Sequence, residues 1–73
     1  MTDTEKKIIE LIAKECGIDA SKICASTKIE ELGIDSLDFL FLVQEIREHV
    51  GAISEDDLVE IGTIEQLAAA VKS

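Results

Sequence analysis

The chain has no proline, tryptophan or tyrosine, and only two phenylalanines, four glycines and two cysteines among its 73 residues. Each scarcity excludes something. With aromatics at 3% and hydrophobics at 47%, the core has to be filled by Leu, Ile, Val and Ala. That hydrophobic share is too large for an intrinsically disordered chain. Cys16, Cys24 and His49 are the only soft ligands, short of the four that a structural zinc site takes, so no metal is expected. The apolar run Phe39 to Val43 falls far short of the roughly 20 residues of a membrane span. Thr2 to Lys7 opens the chain without the apolar core of a secretion signal. A cytoplasmic location and two reduced thiols of no evident role are therefore expected. The length suits one domain, residues 1–73, which on folding buries roughly 60% of its unfolded surface.

Basic side chains are scarce as well, and unevenly so. From Glu30 to Glu60 there are ten acids and a single base, Arg47, while the rest of the chain holds six of each. The whole net charge of −9 therefore lies on that stretch. Nucleic acid and anionic membranes would be repelled. Some of these acids sit where helix N-termini are expected and complement the helix dipole. The near absence of bases suggests a docking surface for basic protein partners.

Periodicity and cap residues predict an all-α fold, a small four-helix bundle of three longer helices and one short one, with a long first loop. The first helix spans about Asp3 to Cys16, with Ile8, Ile9, Ile12 and Cys16 on one stripe and Gly17 as its stop. Within the connection from Ile18 to Ile34, Thr27 and Glu30 have capping-box spacing, which predicts a brief turn ending at Leu32-Gly33. Ile18, Ile23, Ile29 and Leu32 suggest that this loop wraps the core. The second helix begins at Asp35 or Ser36 and runs to Val50, with Gly51 as its stop. Ser54 caps a short third helix through Ile61, and Thr63 with Gln66 opens a fourth that reaches Lys72.

The second helix has more apolar residues than one face can bury. Phe39, Leu42, Val43, Ile46 and Val50 share the core arc, Leu40 is at its boundary, and Leu37 and Phe41 project from the opposite side. An apolar patch among acids marks a protein contact, unless the third helix or the long loop covers Phe41. Ser36, beside that patch, does not read as a nucleophile. His49 is thirteen positions along the same helix, roughly 20 Å away at about 1.5 Å per residue, and no hydrolase elbow is present. Ser36 is either a helix cap or a serine modified by another enzyme, since a helix N-terminus favours a phosphate ester.

The segment Leu32-Gly33-Ile34-Asp35-Ser36-Leu37-Asp38 resembles the attachment motif of acyl carrier proteins. The likeness runs along nearly the whole chain, through Gly17-Ile18-Asp19, Ile23, Thr27 and Leu32, and again from Ile53 to Ile61-Gly62-Thr63-Ile64. The resemblance implies that Ser36 carries 4′-phosphopantetheine, added from coenzyme A by a magnesium-dependent phosphopantetheinyl transferase. It implies a monomeric carrier, not an enzyme, that shuttles acyl thioesters between enzymes of fatty-acid, lipid or polyketide biosynthesis. Partner enzymes with basic patches would dock on the second helix and the following acids, at Asp35, Leu37, Asp38, Leu40, Phe41, Glu48, Glu55, Asp56 and Asp57. Leu42, Ile46 and Ile61 would line a shelter for the acyl chain. Phe41 and Arg47 stand where typical fatty-acid carriers have acids, and Glu45 where they have a small apolar residue, which implies a specialised carrier. An aminoacyl or peptidyl carrier and a plain helical interaction module are the alternatives.

Overall fold

The computed structural model describes residues 2–72. Among them four α-helices form: α1 (Asp3–Cys16), α2 (Ser36–His49), α3 (Glu55–Leu58) and α4 (Ile64–Ala70). Short 3₁₀ turns at Ala20–Lys22 and Ile29–Leu32 punctuate the first loop. No strand forms among the described residues; two isolated antiparallel bridges pair Lys28 with Thr63 and Ala52 with Lys72. The fold is the expected all-α bundle, with α1 packed against both α2 and α4, and α3 against α4.

Local signals set most of the helix boundaries. At the start of α1 the Thr2 hydroxyl accepts from the Glu5 backbone N–H at 3.1 Å, and the Glu5 carboxylate accepts from the Thr2 N–H at 2.8 Å. This reciprocal box satisfies two of the helix's orphan donors. The Thr2 backbone N–H first, and the Thr2 side chain second, hold the Glu5 carboxyl below its usual pKa. Gly17 then ends α1 in the left-handed conformation at φ 68°, where a side chain would be strained. The box at Thr63 and Gln66 forms as expected and opens α4.

Elsewhere the chain departs from its spacing. Thr27 and Glu30 make no capping box: the 3₁₀ turn is capped in position by Lys28 without a side-chain bond. The Thr27 hydroxyl instead accepts from the Cys24 N–H at 2.9 Å, a local bond that competes with capping. Helix α3 stops at Leu58 rather than Ile61, and Ser54 caps it by position only. Helix α4 stops at Ala70 because Lys72 turns away to exchange backbone hydrogen bonds with Ala52, at 2.8 and 3.1 Å. Gly51 follows α2 without a positive φ. Its lack of a side chain serves space, not conformation: a Cβ there would stand 2.6 Å from the Lys72 carbonyl oxygen and 2.8 Å from a Val71 methyl.

The core is aliphatic throughout. Ile8, Ile9 and Ile12 of α1 meet Leu42, Val43 and Ile46 of α2 and Ile64 and Leu67 of α4, with Ile53 below α2 in sequence and Ile23 and Ile29 from the first loop. The loop therefore wraps the core, and Ile18 and Leu32 lie half-buried against it. Each such side chain, once buried, contributes about 1.5–3 kcal/mol relative to exposure. Phe39 is only partly buried against this cluster.

Candidate functional site

The approach to α2 fixes where Ser36 stands. The 3₁₀ turn ends at Gly33, left-handed at φ 72°, and Ile34 packs on the core cluster. Asp35 is then the N-cap, extended in backbone, with its carboxylate accepting from the Asp38 N–H at 2.8 Å. Ser36 is accordingly the first residue inside the helix, not its cap. It is exposed, and its hydroxyl has no hydrogen-bond partner among the described side chains. A cap serine would have that oxygen committed to the backbone; here Asp35 has taken the task and the hydroxyl stays free.

The one histidine, His49, is not placed to deprotonate it. His49 closes the far end of α2, with its Nε2 3.2 Å from a Glu45 oxygen and 3.9 Å from a Glu48 oxygen. The Ser36 hydroxyl therefore has no imidazole base beside it of the kind that activates a serine nucleophile.

Beside Ser36 an open groove of about 710 Å³ runs between the start of α2 and the approach to α4. Ile29, Ile34, Phe39, Leu40 and Ile61 supply its apolar surface, and Lys28, Glu30, Asp35 and Gln66 its polar rim. Backbone pairing joins two of its lining segments: the Ile29 N–H donates to the Gly62 carbonyl at 2.9 Å, and the Ile64 N–H to the Thr27 carbonyl at 3.1 Å. Of the three residues expected to shelter cargo, only Ile61 lines this groove. Leu42 and Ile46 are buried in the packed core instead, because their stripe on α2 faces α1. Lys28, Phe39 and Gln66 were not expected at the site. Lys28 and Gln66 come there through pairing distant in sequence, and Phe39, read as a core residue, also faces the groove.

The outward face of α2 is apolar and acidic together. Leu37 is 77% exposed, Leu40 59% and Phe41 53%, so neither α3 nor the loop covers Phe41. Asp38 and Glu48 are exposed on the same helix, and Glu55 and Asp56 on α3, with Asp57 half-buried. Val59, which the sequence pattern does not single out, adds a further exposed apolar side chain at 85%. Arg47, the one base of this stretch, is turned to structure: its guanidinium donates to the Ile53 carbonyl at 3.0 Å and ties α2 to the following loop.

The two thiols differ. Cys24 is exposed, and hydrogen bonds from the Ser26 and Thr27 hydroxyls lower its pKa to about 7. Cys16 is half-buried, and its pKa is raised by burial first and by the nearby Asp38 and Glu15 carboxylates second. No helix among the described residues is long and apolar enough to cross a membrane.

Comparison with known proteins adds to this geometry. A family model described as the phosphopantetheine attachment site matches residues 6–71. The chain is 35% identical over 72 residues to acyl carrier protein 5, chloroplastic, of Arabidopsis thaliana, covering 96% of this chain and 52% of that one. It is also 35% identical over 66 residues to an acyl carrier protein of Zymomonas mobilis subsp. mobilis, covering 88% of this chain and 85% of the relative. The chain thus spans about half the length of the plant relative and most of the bacterial one. Since one relative is chloroplastic by name, the likeness does not tie such a chain to the cytoplasm.

Proposed function

This chain belongs to the acyl carrier protein family, a family of carriers rather than enzymes whose cofactor is 4′-phosphopantetheine, and from that premise we infer that Ser36 is the residue that bears the arm. The observation that carries the inference is the exposed, uncommitted Ser36 hydroxyl at the first position of α2, released by the Asp35 cap. The residues fit the group. The N-terminus of a fourteen-residue helix favours the phosphodiester placed there, and the apolar groove opens beside the same side chain. The bound arm supplies a terminal thiol that holds acyl groups as thioesters.

In this reading the carrier acts as a monomer. Asp35 and Asp38 meet the phosphopantetheinyl transferase, and the exposed acids of α2 and α3 steer acyl-loading and acyl-transfer enzymes that present basic patches. Leu37, Leu40 and Phe41 give those partners an apolar anchor at the centre of the contact, where such residues contribute most to binding. The cargo is acyl rather than aminoacyl, in keeping with the acidity of this face, and the carrier serves its own set of enzymes in fatty-acid, lipid or polyketide synthesis. Phe41 in place of an acid supports that specialisation.

The test is incubation with coenzyme A and a broad-specificity transferase, read by intact mass. The wild type gains one phosphopantetheine and Ser36→Ala gains none, while both unfold at the same urea concentration because no hydrogen bond is lost. A wild type that stays unmodified, or a Ser36→Ala variant that is modified, overturns the assignment.

A further inference from the structure

We propose that Lys28 is a positioning residue for the arm: its ammonium pairs with the phosphodiester on Ser36 and holds the base of the arm toward the approach to α4. The proposal rests on Ser36 as the attachment point. A phosphodiester there is an anion at neutral pH, and most of its charged neighbours have the same sign. Asp35 precedes Ser36, Asp38 follows within the same turn, and Glu30 lines the same pocket. The helix N-terminus attracts such a group, but Asp35 has taken part of that attraction, because its carboxylate already accepts from the Asp38 N–H at 2.8 Å. Among the residues that share a pocket with Ser36, Lys28 is the one cation.

The backbone fixes where that cation is rooted. The Thr27 carbonyl accepts from the Ile64 N–H at 3.1 Å and the Ile29 N–H donates to the Gly62 carbonyl at 2.9 Å, so Lys28 is pinned between two bonds, opposite Thr63. Lys28 is also the N-cap residue of the 3₁₀ turn Ile29–Leu32, whose left-handed stop at Gly33 leads the chain into Asp35 and Ser36. One short turn therefore joins the root of the cation to the start of α2. The side chain itself is uncommitted. Lys28 is exposed, the turn has no side-chain cap bond, and the ammonium makes no ion pair with a described residue. Its flexible four-carbon stem lets the ammonium meet a phosphate as a point charge, with no fixed geometry to satisfy. An ion pair open to solvent is weak and screened by salt. That weakness lets the pair be broken: a docking enzyme with a basic patch brings competing cations to the same phosphate and frees the arm.

The experiment measures urea unfolding of the full chain with and without the arm, for the wild type, Lys28→Gln and Lys28→Arg at low salt. The arm is added from coenzyme A by a permissive transferase, and all forms are kept reduced. The comparison is a double-mutant cycle, in which contributions common to every form, the helix N-terminus among them, cancel. Adding the arm should shift the unfolding equilibrium of the wild type toward the folded state about three-fold more than that of Lys28→Gln, within the range of exposed ion pairs. Lys28→Arg, which keeps the charge, should behave as the wild type. The difference should vanish in 1 M sodium chloride, where the Debye length is about 3 Å. In the wild type, the side-chain NMR signal of the Lys28 Cε methylene should move when the arm is added, while that of Lys14 on α1 stays in place. An arm effect equal in the wild type and Lys28→Gln overturns the pairing, and so does one that Lys28→Arg fails to restore or that 1 M salt leaves unchanged. Should Lys28→Gln fail to fold, the NMR comparison in the wild type decides, and a Lys28 signal that does not move overturns the pairing. Absence of any added arm by mass would instead sink the assignment of Ser36, so the two failures are told apart.

Discussion

The Asp35 carboxylate accepts the Asp38 backbone N–H at 2.8 Å and also carries a charge beside the Ser36 hydroxyl proposed to bear the arm. Substitution separates the two roles. Asp35→Asn keeps a capping oxygen and should leave stability unchanged within error, whereas Asp35→Ala should lose about 1 kcal/mol, measured by urea unfolding. Both remove the charge, so both should slow arm transfer alike; a normal rate in Asp35→Asn would show that the cap alone matters to the transferase. The thiols give a second residue-scale prediction. The Ser26 and Thr27 hydroxyls stabilise the Cys24 thiolate and set its pKa at about 7. Alkylation by iodoacetamide should therefore rise with pH through neutrality and level off for Cys24. For Cys16, whose pKa burial raises, it should stay slow there and still be climbing in alkali. Peptide mass mapping after a timed quench distinguishes the sites, and equal rates would contradict the hydrogen-bonded environment of Cys24.

Helix α2 buries one face in the core and leaves Leu37, Leu40 and Phe41 exposed on another, and variants on the two faces should sort accordingly. Phe41 is more than half exposed, so Phe41→Glu should leave the melting temperature unchanged while altering acylation by the cognate enzyme relative to the enzyme of a general fatty-acid carrier. If neither partner tells the two forms apart, the specialised reading fails. Arg47 lies on the same helix but holds the Ile53 carbonyl. Arg47→Glu removes that bond and should cost about 1 kcal/mol, a fall of roughly 4–8 °C in Tm for a domain of this size. The contrast between a partner-facing and a structure-facing substitution is read in two thermal melts and two acylation assays.

On the scale of the whole molecule, ten acids against one base between Glu30 and Glu60 make self-repulsion and partner attraction two effects of one field. Salt screens both, with a Debye length of about 10 Å at 0.1 M. Raising sodium chloride should therefore raise Tm while lowering the association rate of basic partners. Calorimetry and stopped-flow binding check the two signs, and movement in the same direction would contradict the electrostatic account. Acid acts through specific groups as well. The Glu5 pKa is lowered in the folded chain, so its contribution is complete above the unfolded value and is lost as pH falls through the lowered one. Fraying of α1 should accompany that step.

How much of this was legible beforehand follows from the range of each interaction. The bounds of α1, the capping box of α4, the four-helix class and the exposure of Leu37 and Phe41 depend on residues within a few positions of one another. Caps, glycine stops and helical periodicity therefore made them readable. The motif around Ser36 was readable for the same reason, as was the division of charge. Thr27 defeated its own spacing because its hydroxyl had a nearer donor in Cys24. The rest required partners far along the chain. Pairing of residues 27–29 with 62–64 brings two lining segments of the groove beside Ser36 together, the turn of Lys72 onto Ala52 shortens α4 and leaves room only for glycine at position 51, and Leu42 and Ile46 are buried in the core. Composition and local pattern thus determined which helices form and where the charge lies. Only the assembled bundle decided where the apolar groove lies, since a cavity is a relation between surfaces that no short stretch of chain contains.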